Sequence, residues 1–163
     1  ESVVGEPVRV SNTTIVGYSN TASDKAFAIN SQLTRINILP DGLDIVIDRD
    51  LIMQSPAKID GDFMFSRNGY QLDLNSLVAS QVFDPVEIGK HALSVSVDRT
   101  NDAVVFVFPE DITAYSIQSG REISSVPLPS DFNMGDRVLS FLADVPGKYV
   151  VVATEGMLIL DKP

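Results

Sequence analysis

The stretch AVVFVFPEDITAYSIQSGREISSVPL, residues 103–128, carries the pattern that decides the fold. Val104–Phe108 is an apolar run, Ile112–Ile117 alternates between apolar and polar residues, and Arg121–Leu128 is half polar. The sequence PED separates the first two segments and QSG the second pair, and proline, aspartate and glycine are the residues that tight turns require. The stretch therefore predicts three antiparallel strands joined by tight turns.

Related hairpins recur along the chain at a spacing of about forty residues, which is typical of a four-stranded propeller blade. They are KAFAINSQLTRINI at 25–38, DFMFSRNGYQLDL at 62–74, VVFVFPEDITAYSI at 104–117 and YVVVATEGMLIL at 149–160. No segment has apolar residues at helical spacing over three turns. The prediction is an all-β, β-propeller-like domain over 1–163 with four repeats of antiparallel strands, or a fragment of a larger propeller. A β-sandwich is the alternative, because strands spaced in this way suit both folds.

The repeats also predict which strands are buried. In a blade the second strand lies between neighbouring blades, so Val104–Phe108 and Tyr149–Ala153 are expected to be buried on both faces. The last unit is one strand short, and Glu1–Val10 could supply that strand and close a four-bladed ring. If the chain is part of a larger propeller, open blade edges would remain and would allow a homodimer.

The third unit, DAVVFVFPEDITAYSIQSGREI at 102–123, resembles blades of the YVTN/WD40-like β-propeller group, and the match is best over residues 92–128. The shared pattern is an apolar strand, a turn, I-x-x-Y-x-I, a polar turn with glycine and an outer strand. The chain has no tryptophan, so the Trp-Asp signature of true WD40 repeats is absent. The resemblance implies a propeller architecture and a role in binding rather than a particular activity.

Composition and charge narrow the possible partners. The chain is 44% hydrophobic and carries a formal net charge of −10, which disfavours nucleic acid and anionic membranes. No stretch approaches the roughly 18 consecutive apolar residues that a membrane span needs. The absence of cysteine excludes disulfides, thiolate catalysis and cysteine-based zinc sites. It leaves the compartment open, with an extracellular or periplasmic location slightly favoured.

Four residues form the candidate binding set. Arg67 and Arg99 occupy predicted turns and could meet an anionic or carboxylate ligand, while Tyr70 and Tyr115 could supply aromatic faces. The alternative is that these arginines are solvated surface residues. The candidate contact loops are Asn20–Asp24, Arg67–Gly69, Pro109–Asp111 and Thr154–Gly156.

No catalytic residue or metal ligand is assigned. His91 is the single histidine and is expected in a surface loop. Acidic pairs such as Asp48/Asp50 and Asp60/Asp62 would suit calcium, but aspartate is also a turn residue, so no cofactor is predicted and calcium remains the one option. The predicted function is a non-enzymatic module that binds a protein or a small polar ligand through its blade loops. The alternative is a carboxylate-based hydrolase or lyase.

Overall fold

The computed structural model describes residues 2–4, 8–9, 14–22, 29–48, 57–76, 78–83, 92–134 and 138–163. Over these ranges the chain forms strands, turns and irregular segments without any helix, which confirms the all-β prediction. It follows that these ranges contain no helix long and apolar enough to cross a membrane. The strands form four antiparallel sheets, called A to D in chain order. No closed barrel or ring of sheets is found within the same ranges.

Sheet C contains the stretch quoted above and is a meander of four strands. Its strands are β10 (Ser94–Asp98), β11 (Ala103–Val107), β12 (Asp111–Ser116) and β13 (Glu122–Pro127). Each strand pairs with the next along the chain, and one register shift occurs between Ala114 and Tyr115 where β12 meets β13. The three strands predicted for residues 103–128 are therefore confirmed, and each end differs from the prediction by one residue.

Sheets B and D repeat this meander. Sheet B has the strands β6 (Ala57–Asp60), β7 (Phe63–Ser66), β8 (Tyr70–Asp73) and β9 (Ala79–Gln81). Sheet D has the strands β14 (Val138–Val145), β15 (Lys148–Ala153) and β16 (Gly156–Asp161). The Asn-Gly turn predicted between β7 and β8 is present, and Gly69 takes the positive φ of 82° that favours glycine.

Sheet A is built differently from the other three. Its strands are β1 (Ser2–Val4), β2 (Val8–Arg9), β3 (Thr14–Ala22), β4 (Ile29–Leu39) and β5 (Gly42–Asp48). β4 runs without interruption, so the predicted turn inside the first hairpin is wrong. Both β1 and β2 pair with β3, so the prediction that Glu1–Val10 completes the last sheet is also wrong. β3 pairs with β4 along one edge through nine residue pairs, and β1 and β2 pair with its other edge.

Sheets B, C and D stack face to face, with sheet C in the middle. One face of sheet C, which includes Val105 and Val107, packs on Phe141 and Val151 of sheet D. The opposite face, which includes Phe106, packs on sheet B. Because successive strand residues point to opposite faces, a strand covered on both sides is typically apolar on both faces. All five residues of β11 are buried, as predicted.

Corresponding strands of the three stacked sheets run in the same direction, as contacts near the ends of their first strands show. Arg99 follows β10 and pairs with Asp60 at the end of β6. The side chain of Lys162 binds Asp98 at the end of β10. The backbone N–H of Lys162 donates a hydrogen bond to Gly147 in the β14–β15 turn. The turns that follow β6, β10 and β14 therefore share one end of the stack, which we call the Asp98 end. The turns that follow β7, β11 and β15 share the other, which we call the Pro109 end.

The prediction that Tyr149–Ala153 is buried on both faces is wrong. Tyr149, Val151 and Ala153 are buried against sheet C, whereas Val150 and Val152 on the other face are only partly covered. Sheet D has a neighbour on one face only within the described ranges, so its second strand alternates in burial. Next to Val150, Leu142 and Ile159 are about half exposed, at 49% and 54%.

Candidate functional site

The structure places the four predicted binding residues in three separate environments. Arg67 and Tyr70 flank the β7–β8 turn at the Pro109 end, and both are half-buried. Arg99 lies in the β10–β11 turn at the Asp98 end, where its Nε donates a hydrogen bond to Asp60 Oδ1 at 2.6 Å. The two arginines are therefore at opposite ends of the stack and do not face one ligand.

Tyr115 belongs to the core. It is 4% exposed, and its ring meets Phe106 and Phe83 in edge-to-face contacts with centroid distances of 5.6 and 6.1 Å. Such contacts stabilise an aromatic cluster beyond the burial of its area. Its ring thus holds sheets B and C together.

Three of the four predicted contact loops share the Pro109 end of the stack. They are the turns β7–β8, β11–β12 and β15–β16. Phe108 to Asp111 line a small depression of about 110 Å³ there. The fourth loop, Asn20–Asp24, lies partly outside the described residues. A role for these turns in protein contacts remains a prediction.

The acidic residues do not gather into a metal-binding group in the part of the chain that the structure describes, where no three histidine, cysteine, aspartate or glutamate side chains come together. The Asp60 carboxylate of the Asp60/Asp62 pair is bonded to Arg99. Asp50 of the other candidate pair lies outside the described residues, as does His91. Calcium binding by either pair stays a prediction.

A cavity of about 360 Å³ with several polar lining residues lies between sheets C and D at the Asp98 end. Sheet C supplies most of the wall and sheet D supplies Tyr149. The lining residues are Asp98, Asn101, Ala103, Ala114, Ile123, Ser124, Tyr149, Lys162 and Pro163. Strand alternation explains the wall, because Ala103, Ala114 and Ser124 lie on the face of sheet C that meets sheet D, and Ala114 pairs directly with Ser124.

A buried ion pair forms one side of this cavity. Lys162 Nζ lies 2.6 Å from Asp98 Oδ2, and the two side chains are 8% and 1% exposed. Asn101 donates a second hydrogen bond to Asp98 Oδ2 at 2.9 Å through its Nδ2. Burial alone would raise the pKa of Asp98, but the hydrogen bonds from Lys162 and Asn101 and the charge of Lys162 outweigh it, so the pKa is lowered below 3.8. Asp98 is therefore a carboxylate with its acceptor positions engaged.

Tyr149 forms the floor beneath this pair. Lys162 Nζ lies 5.4 Å from the centroid of the Tyr149 ring, within the range of a cation–π interaction. Burial raises the pKa of Tyr149, a hydrogen bond with the Ser124 side chain lowers it and the nearby Asp98 charge raises it, so that the net pKa lies above 10.0. The phenol is thus a neutral hydroxyl at physiological pH.

Sequence reasoning did not find this cavity. Its one local signal is SVSVD at 94–98, a strand whose polar residues all point to one face and are nevertheless buried. Ser96 on that face accepts a hydrogen bond from the backbone N–H of Ala143 at 3.3 Å, and Asp98 on the same face binds Lys162. The partner of Asp98 is remote in sequence, so no spacing rule could have joined the two.

Comparison with known proteins gives no family. No model of a protein family matches the chain, and no curated protein matches it with significance.

Proposed function

We propose that this chain is a non-enzymatic ligand-binding module of the β-propeller type, and that it holds a small polar molecule in the cavity between sheets C and D. The observation that carries the proposal is the combination of about 360 Å³ of space with the buried Asp98–Lys162 pair. Small-molecule sites are typically concave, partly apolar and furnished with a few fixed polar groups, at volumes of about 300–1,000 Å³.

The packing of the sheets supports the propeller part of this proposal. In a propeller, meander sheets stand side by side around an axis with their first strands innermost and running in the same direction. The first strand of sheet C, β10, contacts both β6 and β14, and the three strands share a direction. A two-sheet sandwich would leave one face of each sheet uncovered, whereas sheet C is covered on both.

The polar groups of the cavity indicate the chemistry of the ligand. Asp98 already accepts hydrogen bonds from Lys162 and Asn101. Lys162 has three N–H donors, and the neutral Tyr149 phenol adds a hydroxyl. The unused capacity of the cavity is therefore mainly for donation. A ligand that presents hydrogen-bond acceptors, such as a carboxylate or an amide carbonyl, fits these groups better than an amine does.

The test is an NMR titration of the ¹⁵N-labelled protein with three probes of similar size: sodium acetate, acetamide and methylammonium chloride. Acetate and acetamide are expected to shift the amide signals of Ala103, Ala114 and Ile123, which line the cavity. Sodium chloride at the same ionic strength is the control for acetate. Shifts caused by methylammonium alone, or shifts by no probe at these residues, would overturn the proposal.

A pair of matched variants locates the binding. Tyr149→Phe removes one hydroxyl from the cavity and should weaken the affinity for acetate about fivefold, which corresponds to about 1 kcal/mol for one hydrogen bond. Tyr115→Phe makes the same chemical change in the core between sheets B and C, away from the cavity, and should leave the affinity unchanged. Equal effects of the two substitutions would show that the cavity is not the site.

A further inference from the structure

We propose that the ligand of the cavity is a short-chain acyl compound, in which a carboxylate or amide group is joined to a short hydrocarbon chain, and that Ala103, Ala114 and Ile123 contact this chain. The inference rests on the proposed function and deepens it, since the polar groups of the cavity define only one end of the ligand. The apolar wall that defines the other end belongs to β11, β12 and β13, within the continuous described range 92–134.

Two small side chains make room for the ligand. On the face of sheet C that meets sheet D, Val105, Val107 and Ile112 pack into the core shared with that sheet. Towards the Asp98 end the same face carries Ala103 and Ala114, which are buried and line the cavity. An alanine side chain ends at Cβ, so it leaves unfilled the volume that a valine or isoleucine would take in a close-packed interior. The result is an apolar wall with space in front of it.

A β-bulge adds a larger apolar side chain at the rim of this wall. Ser124 and Glu122 pair with consecutive residues of β12, so Ile123 between them is the extra residue of the bulge. Adjacent strand residues ordinarily point to opposite faces, but Ile123 and Ser124 both line the cavity. Bulges are common next to active sites, where they redirect a side chain. Here the bulge directs Ile123, which is 53% exposed, towards the cavity.

The charged pair and Ile123 lie at opposite sides of the cavity wall. Asp98 belongs to β10 and Ile123 to β13, and β11 and β12 lie between these strands. Neighbouring strands are about 4.8 Å apart, so the backbones at the two positions are separated by about 14 Å. Lys162 binds Asp98 at the β10 side. An elongated ligand with its acceptor group near Lys162 and its chain along Ala114 towards Ile123 matches this order.

A hydrocarbon chain is the group that the wall favours. The side chains of Ala103, Ala114 and Ile123 have no hydrogen-bonding atoms, so a polar group against them would lose its hydrogen bonds to water without replacement. A methylene group in the same place leaves water and should tighten binding about fourfold. The chain must be short, because about 360 Å³ is near the lower end of the range of small-molecule sites.

NMR titration of the ¹⁵N-labelled protein with acetamide, propionamide and butyramide measures the contribution of the chain. Each added methylene should tighten binding about fourfold, so butyramide should bind about 15-fold more tightly than acetamide. Glycolamide is the matched control, because a hydroxyl group replaces the terminal methyl of propionamide, and it should bind more weakly than propionamide. Acetate, propionate and butyrate form a second series. The series with the lower dissociation constants shows whether the free acid or the amide is preferred.

A pair of isoleucine variants locates the chain. Ile123→Ala removes apolar surface from the rim and should reduce the gain from acetamide to butyramide, while the affinity for acetamide stays unchanged. Ile159→Ala makes the same change at an isoleucine of nearly equal exposure, 54%, on the face of sheet D that does not meet sheet C. This variant should keep the full gain. Intermolecular nuclear Overhauser effects should join the terminal methyl of butyramide to the methyl groups of Ala114 and Ile123.

Failure of this inference and failure of the proposed function give different results. The inference is overturned, and the proposed function stands, if acetamide binds but the longer amides bind no more tightly. The same holds if glycolamide binds as tightly as propionamide, or if Ile123→Ala and Ile159→Ala show equal gains. Binding of none of the amides and acids would overturn both.

Discussion

Replacement of Lys162 by methionine tests whether the buried ion pair holds sheets C and D together. Methionine has nearly the length of lysine but no charge, so the substitution removes the ammonium group and little else. The lysine side chain is 8% exposed and lies 2.6 Å from a carboxylate that is 1% exposed. In the variant, Asp98 keeps its hydrogen bonds from Asn101 but has no counter-charge.

The expected loss in the free energy of unfolding is about 3–5 kcal/mol, because a buried carboxylate would remain without its charge partner. A domain of this kind has a total stability of about 5–15 kcal/mol, so the variant should be near the limit of folding. Lys148→Met makes the same chemical change in the ion pair with Asp161, where the side chains are 46% and 83% exposed. That substitution should cost at most about 1 kcal/mol.

The contribution of Asp98 to the free energy of unfolding should depend on pH with opposite signs in the native chain and in Lys162→Met. In the native chain the pKa of Asp98 is lowered. The stabilisation by this carboxylate is therefore present above about pH 4 and is lost as the pH falls through the folded-state pKa. Without Lys162, the hydrogen bond and charge that lower the pKa of Asp98 are lost, and we expect burial to raise this pKa above its ordinary value. The variant therefore loses stability as the pH rises through that raised pKa. The difference between the two proteins should shrink as the pH falls toward about 4.

Urea unfolding followed by circular dichroism measures these free energies, with tyrosine fluorescence as a second probe because the chain has no tryptophan. The double variant Asp98→Asn/Lys162→Met removes both charges and should recover much of the loss. The reasoning is refuted if Lys162→Met costs no more than Lys148→Met, or if its cost is the same at all pH values.

Two further predictions concern glycines in two turns and the phenol group of Tyr149. Gly120 and Gly147 have nearly equal positive φ angles, 67° and 66°. A methyl group on Gly120 would overlap the carbonyl oxygen of Val82. A methyl group on Gly147 would meet nothing within 4 Å. Gly147→Ala should lower the free energy of unfolding by about 1 kcal/mol, and Gly120→Ala should lower it by about 3 kcal/mol or more. Urea unfolding measures both values, and equal losses would contradict the close packing of sheets B and C. The pKa of Tyr149 is raised above 10.0, so an absorbance titration should show a phenol that ionises above that pH and is missing in Tyr149→Phe. The neutral phenol should contribute its full stabilisation below about pH 10, and this contribution should be lost as the pH rises through the raised pKa. An unchanged titration curve in Tyr149→Phe would contradict the assignment of this phenol to Tyr149.

Local sequence signals predicted the meander sheets well. The turns at Asn68-Gly69 and Pro109-Glu110 are present because their backbone geometry depends on a few adjacent residues. Sheet A was predicted less well. The segment before Leu33 contains Asn30 and Ser31, which favour turns, but the structure continues β4 from Ile29 to Leu39 because β3 pairs along its whole length. Pairing between distant segments decided that outcome.

The residues of the candidate site were the hardest to predict. Arg67, Arg99 and Tyr70 were selected as turn or aromatic residues, and the structure shows that Arg67 and Arg99 are at opposite ends of the stack. Tyr115 was selected for its aromatic face, but alternation along β12 directs it into the core. Asp98 looked like one more turn aspartate. Its significance depends on Lys162, which is 64 residues further along the chain.

The order of apolar runs, alternating runs and turn residues was enough to establish an all-β chain of meander sheets, because strand and turn preferences act between neighbours in the sequence. Two features depended on the packing of whole sheets: the burial of both faces of β11 and the cavity beside Asp98 and Lys162. Each of them arises from which sheet lies next to which. That arrangement is the result of many weak contacts between residues far apart in the chain, and no local pattern encodes it.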